Sequence, residues 1–356
     1  MAAVDSAEGF AVSKSGRALA FACSFTACLF AAGILAITVF GRPAAPGISL
    51  ELGDGAAPHG PAAAHPANPA AATASETLAV PAAVTQPIYA GKVLLADPAL
   101  IENTASGPLP RIADDGRKPM QAYAAPAATN AKFKIAIVVS GLGVSASATK
   151  AALENLPAGV TLGFAPYAGD VGEWVAQARG RGHEVLLQVP MEPFDFPDSD
   201  PGPHTLRAGQ DEAANLQRLS WAMSRFTGYA GVTNLLGQRF LSDSSALSPA
   251  LTYLNRLGLY FFDNGAAAQS VAPNVAAQVG LPAVQSNATI DGIQTALEID
   301  SRLSELEAQA RANGSAVGSA FLYPVSIARI ASWAKGLQAR GFVLVPVSAI
   351  VPAQKQ

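Results

Sequence analysis

The chain has 356 residues, with 23 lysines and arginines against 26 aspartates and glutamates and a net charge of −3. That balance supplies neither the basic surface that nucleic acid requires nor a polybasic membrane patch, so both are excluded. The two cysteines, Cys23 and Cys28, share one apolar run near the N-terminus and can neither staple nor supply zinc ligands to a domain far downstream.

That run, residues 18–40, carries no charge. At about 1.5 Å per helical residue it spans roughly 34 Å, enough to cross a bilayer's hydrocarbon core, and is read as one transmembrane helix. Lys14 and Arg17 precede it and only Arg42 closely follows. This bias puts residues 1–17 in the cytoplasm, anchors the chain by a single pass in the inner membrane, and leaves the rest in the periplasm. A cleaved signal peptide is the rival reading; its apolar core usually runs about 7–15 residues and ends at a small-x-small site, which is not evident here.

About half of the prolines fall between Gly41 and Asn130. Residues 41–107 are rich in Pro and Ala and lack a periodic apolar face, so they read as a disordered tether, with His59 and His65 as solvated tether residues. Residues 108–123 mix charges, turn residues and apolar anchors, and are expected to dock on a folded domain spanning 108–351. A short tail, 352–356, follows.

After Lys132, short runs rich in Val, Ile and Phe alternate with longer amphipathic ones. Strands are expected at 134–139, 160–164, 184–189, 229–233, 259–262, 282–285, 315–320 and 343–346. Helices lie between them, for example at 211–224, 245–256, 270–279, 293–312 and 326–339. Gly258, Gly280, Gly314 and Gly341 stand where helices should stop. Strand then helix, repeated seven or eight times, argues for an α/β fold with parallel strands closed into a (β/α) barrel; an open doubly wound sheet is the alternative.

Three strand ends carry distinctive patterns: Ile-Ala-Ile-Val-Val-Ser-Gly-Leu-Gly at 135–143, His-Glu-Val-Leu-Leu-Gln-Val-Pro-Met-Glu-Pro at 183–193, and Gly-Val-Thr-Asn-Leu-Leu-Gly-Gln-Arg-Phe at 231–240. They resemble the divergent polysaccharide deacetylase family, related to the NodB-type carbohydrate deacetylases, and the resemblance covers nearly all of 108–351. It implies a (β/α) barrel that is often irregular or incompletely closed. It also implies a metal site whose ligands are largely substituted here. The family has Asp-Asp where this chain has Ser140 and Gly141, and His where it has Gln188, Leu235 and Phe321.

In a parallel barrel the reactive groups come from the C-terminal ends of the strands. On the resemblance, the substrate-contacting candidates are Ser140, Gln188, Met191, Glu192, Asn234, Arg239, Asp263, Asp291 and Tyr323. Gln188 keeps hydrogen-bonding capacity but cannot shuttle a proton near neutral pH. Glu192 reads either as a pocket carboxylate for sugar hydroxyls or as a loop-fixing acceptor of backbone N–H groups. Arg239 reads either as a clamp on an anion or as a loop support.

Deacetylation of an N-acetyl sugar needs a Lewis-acid metal, an activated water, a base and an acid. His183 precedes the third strand, roughly 17 Å from the mouth at about 3.3 Å per strand residue, and reads as structural. His204 lies in the long, proline-rich loop at 195–209. Glu192, His204, Asp263 and Asp291 form the only metal set that can be constructed, and no cofactor is expected. If the protein is active, zinc is the metal and Glu192, Asp263 and Asp291 are the catalytic candidates. Three readings stay open: a family member that has lost metal catalysis and keeps a groove for cell-wall or other polysaccharide or for a partner; a deacetylase or esterase with a rearranged site; and a structural cell-envelope docking protein.

Overall fold

A computed structural model describes residues 96–127 and 131–352. The apolar run at 18–40 and most of the tether lie outside them; among the described residues, no helix is long and apolar enough to cross a membrane. Secondary structure begins before Pro108, inside the stretch assigned to the tether. A 3-10 turn at Pro98–Leu100, capped by the Asp97 carboxylate, leads into β1 (Ile101–Thr104), which pairs antiparallel with β2 (Gly107–Pro110). Leu100 is fully buried and its carbonyl accepts Arg111 N. The sequence conceals this hairpin because its Pro, Gly and polar residues are turn formers; burial of Leu100 and Leu109 holds it in place. A single helical turn, α1 (Pro119–Ala122), completes the lead-in.

The expected alternation follows: β3 (Lys134–Leu142), α2 (Ala146–Asn155), β4 (Thr161–Phe164), α3 (Val171–Gly180), β5 (Val185–Met191), α4 (Glu212–Met223), β6 (Gly231–Leu236), α5 (Ser244–Arg256), β7 (Tyr260–Asp263), α6 (Ala272–Val279), β8 (Ala283–Gln285), β9 (Ala288–Thr289), α7 (Ala296–Asn313), β10 (Ser315–Phe321), α8 (Pro324–Lys335) and β11 (Val343–Leu344). Helices start where a side chain takes up the free N–H groups: Ser145, Asp211, Asp243 and Thr295 each accept from the first turn. α6 and α7 stop at Gly280 and Gly314, both left-handed. β3, β5 and β6 run two or three residues further than their apolar patterns suggest, so their motif residues belong to strands rather than loops.

The strands of the large sheet are all parallel, in the order β8-β7-β6-β5-β4-β3-β10-β9, with β11 added beside the start of β3. β8 and β9 are halves of one extended segment: the first pairs with β7, the second with β10, and between them Ser286 N donates to Asp263 O and Asn287 N to Val317 O. The sheet therefore curls into an α/β barrel rather than a doubly wound sheet. No helix separates β8 from β9, which makes this seam the irregular part of the wall.

Side chains alternate across the wall. Ile135, Ile137 and Val139 of β3 join the layer packed under the helices, whereas Ala136 and Val138 join Leu186, Tyr260, Phe262 and Val317 inside. Each fully buried aromatic contributes about 2–3 kcal/mol. The barrel floor is closed by Leu100, Ala113 and Tyr123 from the lead-in and by Val345 and Val347 from the C-terminal segment. One carboxylate ties this floor together. Glu184, fully buried just before β5, accepts from Tyr260 Oη (2.8 Å), Ser348 N (3.1 Å), Ala125 N (3.2 Å) and Thr161 Oγ1 (3.4 Å). Beside it, His183 is 3% exposed, with Nδ1 2.9 Å from Val160 O, a structural histidine away from the mouth.

Candidate functional site at the barrel mouth

Ser140 ends the regular part of β3, is 3% exposed, and lies in register with Gly163 of β4 and Phe321 of β10. The next residue, Gly141, has φ +92°, and its N–H donates to Gln188 Oε1 at 3.1 Å. A Cβ on Gly141 would lie 2.9 Å from Phe321 Cε1. Gln188 is in register with Thr233 of β6, both fully buried. Gln188 Nε2 and Thr233 Oγ1 have no hydrogen-bond partner, so the barrel holds two polar groups without their complements just below its mouth.

On β6, Leu235 is half-buried and Leu236 adopts φ +55°, a left-handed conformation that costs a branched apolar residue about 1 kcal/mol or more. Asn234 holds this turn: its Nδ2 donates to Leu236 O at 2.7 Å and to Asn264 Oδ1 at 2.9 Å. Asn264 answers by donating N to Asn234 Oδ1 and Nδ2 to Asn234 O, both at 3.0 Å. Asn234 thus acts as a clasp between β6 and β7. Met191 is not available to a ligand; it is 2% exposed in the helix-side core, where its Cβ would meet a Cβ on Gly237 at 2.8 Å.

Each candidate carboxylate is already occupied. Glu192 Oε2 accepts Ala208 N at 2.7 Å, Oε1 lies 3.4 Å from Arg239 Nη1, and the Glu192 carbonyl accepts Arg239 N and Phe240 N. This is the loop-fixing arrangement, with the Arg239 side chain about half exposed beside it. Asp263 accepts Gly265 N on Oδ1 (3.0 Å) and Gln285 Nε2 on Oδ2 (2.9 Å). Asp291 Oδ2 accepts Phe321 N and Ser326 Oγ, both at 2.7 Å, and burial pushes its pKa up. Tyr323 is half-buried with its ring 5.9 Å from that of Phe321.

His204 turns away from these acids. Its ring stacks on Trp221 at 3.5 Å and 8°. The set Glu192, His204, Asp263 and Asp291 does not assemble: among the described residues, no three His, Cys, Asp or Glu side chains gather as metal ligands. An apolar groove of about 820 Å³ exists, but it lies between α6 and the β7–β8 edge, lined by residues such as Ala276, Leu281 and Pro282. It sits on the helix side, away from the motif residues; Asp263 alone is shared with them.

The sequence patterns did not single out the rim. Val144, Tyr167, Phe194, Ile293 and Leu297 are the exposed large hydrophobic residues of the described chain, and all lie beyond C-terminal strand ends. Only their place after the strand ends of the folded barrel distinguishes them from other exposed residues. Thr233 could have been found, because it shares the strand face of Gln188 in an adjacent strand.

Residues 137–351 match the family described as divergent polysaccharide deacetylase. The crystal structure of the uncharacterized protein ATU2773 from Agrobacterium tumefaciens C58 is similar with a TM-score of 0.68 and 42% identity, covering 69% of this chain and 100% of that one. An uncharacterized protein of Haemophilus influenzae is 23% identical over 198 residues, 56% of this chain and 70% of its own length. The uncharacterized protein YibQ of Escherichia coli is 23% identical over 194 residues, 54% of this chain and 60% of its own length. The chain belongs to the divergent polysaccharide deacetylase family.

The metal that the family relation implies does not fit these residues. Ser140 and Leu235 offer no imidazole or carboxylate, Gln188 Oε1 is taken by Gly141 N, and the space beside Gly141 is filled by the Phe321 ring.

Proposed function

We propose that this family member binds polysaccharide at the barrel mouth and has lost metal-dependent deacetylase activity. The observation that carries this reading is the Phe321 ring standing where a side chain at position 141 would project. Around that filled site the mouth keeps features suited to a sugar: an apolar rim with Tyr167 and Phe194, and the unsatisfied Gln188 Nε2 and Thr233 Oγ1 beneath, which a bridging water links to a sugar hydroxyl above. Binding needs no proton transfer, which is consistent with Glu192, Asp263 and Asp291 being engaged in fixing loops. The run at 18–40 supports a single-pass anchor in the inner membrane with the barrel in the periplasm, where cell-wall glycan is the ligand within reach.

The test is made on the full chain in detergent micelles. Elemental analysis reads bound zinc, acetate release from N-acetylated oligosaccharides reads turnover, and sedimentation with insoluble glycan reads binding. Glycan binding with neither zinc nor acetate release is expected. Stoichiometric zinc with turnover would sink the proposal.

A further inference from the structure

Beside the mouth, in the loops that follow β4 and β5, lies a cluster that the site above does not use. The His204 ring is stacked on Trp221, its backbone N–H donates to Tyr167 Oη at 3.2 Å, and the Tyr167 ring lies 5.4 Å from that of Trp221. Trp221 is on α4 with Arg218 one turn before it on the same face, and Arg225 lies in the turn that follows the helix end at Met223. The Arg225 guanidinium is 5.2 Å from the Trp221 ring centroid. Arg218 Nη1 is covered and has no acceptor. Of the loop's acids, Asp195 accepts Ser199 Oγ, and Asp200 accepts Gly202 N and lies near enough to Tyr167 to add to the effect of burial in raising its pKa. Neither Arg218 nor Arg225 has an ion-pair partner among the described residues.

We infer that Arg218 and Arg225, beside the His204–Trp221 stack, hold the carboxylate of an acidic sugar in the glycan bound at the mouth. This rests on the glycan-binding reading above and names the class of glycan. Two planar guanidiniums without a counter-charge favour a bidentate oxyanion, and the flat His–Trp stack gives the adjoining pyranose a face to lie on. The imidazole reports the same field: burial first, then Arg218 and Arg225, hold its pKa below the usual histidine range. A bound carboxylate offsets both cations.

Two disaccharides that differ by one carboxylate make the test: N-acetylglucosaminyl-N-acetylmuramic acid and chitobiose, titrated by calorimetry into the full chain in detergent at low salt. At least tenfold tighter binding of the acidic sugar is expected, fading in high salt. Arg218→Gln and the exposed Arg225→Gln should each remove most of that preference while leaving chitobiose affinity unchanged; the second guards against a folding defect in the first. Equal affinity for the two sugars, or a preference that survives both substitutions, would overturn the assignment. NMR of the His204 ring separates the two layers of the argument. If neither sugar binds yet sodium acetate shifts the His204 resonances in an Arg218-dependent way, the glycan reading fails and the oxyanion site stands; no shift with acetate or either sugar overturns both.

Discussion

Phe321 stands over Gly141: a Cβ on the glycine would lie 2.9 Å from Phe321 Cε1, and its φ of +92° is a conformation that side chains rarely adopt. The aromatic residue is fixed from behind, because Phe321 N donates to Asp291 Oδ2 at 2.7 Å. The bare glycine at 141 and the ring at 321 are two halves of one packing solution.

Gly141→Ala should therefore destabilise the protein by about 1–3 kcal/mol in urea unfolding, from backbone strain and overpacking together. Placing Asp at 140 and 141 and His at 188 and 235 should not restore zinc binding while Phe321 remains; adding Phe321→His should give a measurable gain. Full zinc occupancy in the fourfold variant, read by elemental analysis, would contradict this account.

Glu184→Ala strips four donors of their shared acceptor and should cost roughly 3 kcal/mol or more, with both the lead-in and the C-terminal segment becoming easier to proteolyse. Burial raises the Glu184 pKa above the usual 4.5. A group with a raised folded value gives its stabilisation in full below about pH 4.5 and loses it as pH climbs through that folded value. Relative to Glu184→Gln, which does not titrate, the parent should lose stability over this rise. A constant stability difference between the two across that range would refute the assignment.

His183 behaves in the opposite sense. Burial depresses its pKa to about 4, against the weaker effect of its contact with Val160 O. The neutral imidazole stabilises the fold above about pH 6.5, and the benefit is lost as pH falls from there toward 4, by up to about 3 kcal/mol. His183→Asn should flatten stability over that interval. NMR should find the parent ring neutral at pH 5; a protonated ring there would refute the burial argument.

Asn234→Ala opens the clasp to Asn264 and removes the support of the Leu236 turn, and should cost about 1–3 kcal/mol. Leu236→Gly in that background should recover part of the loss by relieving the left-handed φ. Denaturant midpoints of the single and double variants check both statements. If Leu236→Gly is as damaging with Asn234 absent as with it present, the strain assigned to this turn is wrong.

The repeating strand-helix pattern made the parallel barrel legible, because each strand is apolar on both faces and each helix on one. Gly280 and Gly314 marked helix ends because only a left-handed residue closes them cheaply. The hairpin at Ile101–Thr104 and Gly107–Pro110 was hidden among turn-forming residues, and the β8–β9 seam among stretches too short to show a period. At the mouth, the absence of imidazole and carboxylate at 140, 141, 188 and 235 could be read directly. Loop fixing was one of the two readings of Glu192, and Ala208 N realises it; that Asp263 and Asp291 are engaged by Gln285 and Phe321 could not be read, since these partners are 22 and 30 residues away and are brought in by tertiary packing.

The Glu184 contacts also set a schedule. Thr161 and Glu184 receive N–H donors from Val347 and Ser348, 186 and 164 residues later in the chain, and β3 waits for β10 and β11 before its edges are filled. A chain emerging N-terminus first cannot seal its floor until Val347 and Ser348 have appeared. Such long-range closure makes for slow folding and leaves the growing chain open to proteases until that segment has been made.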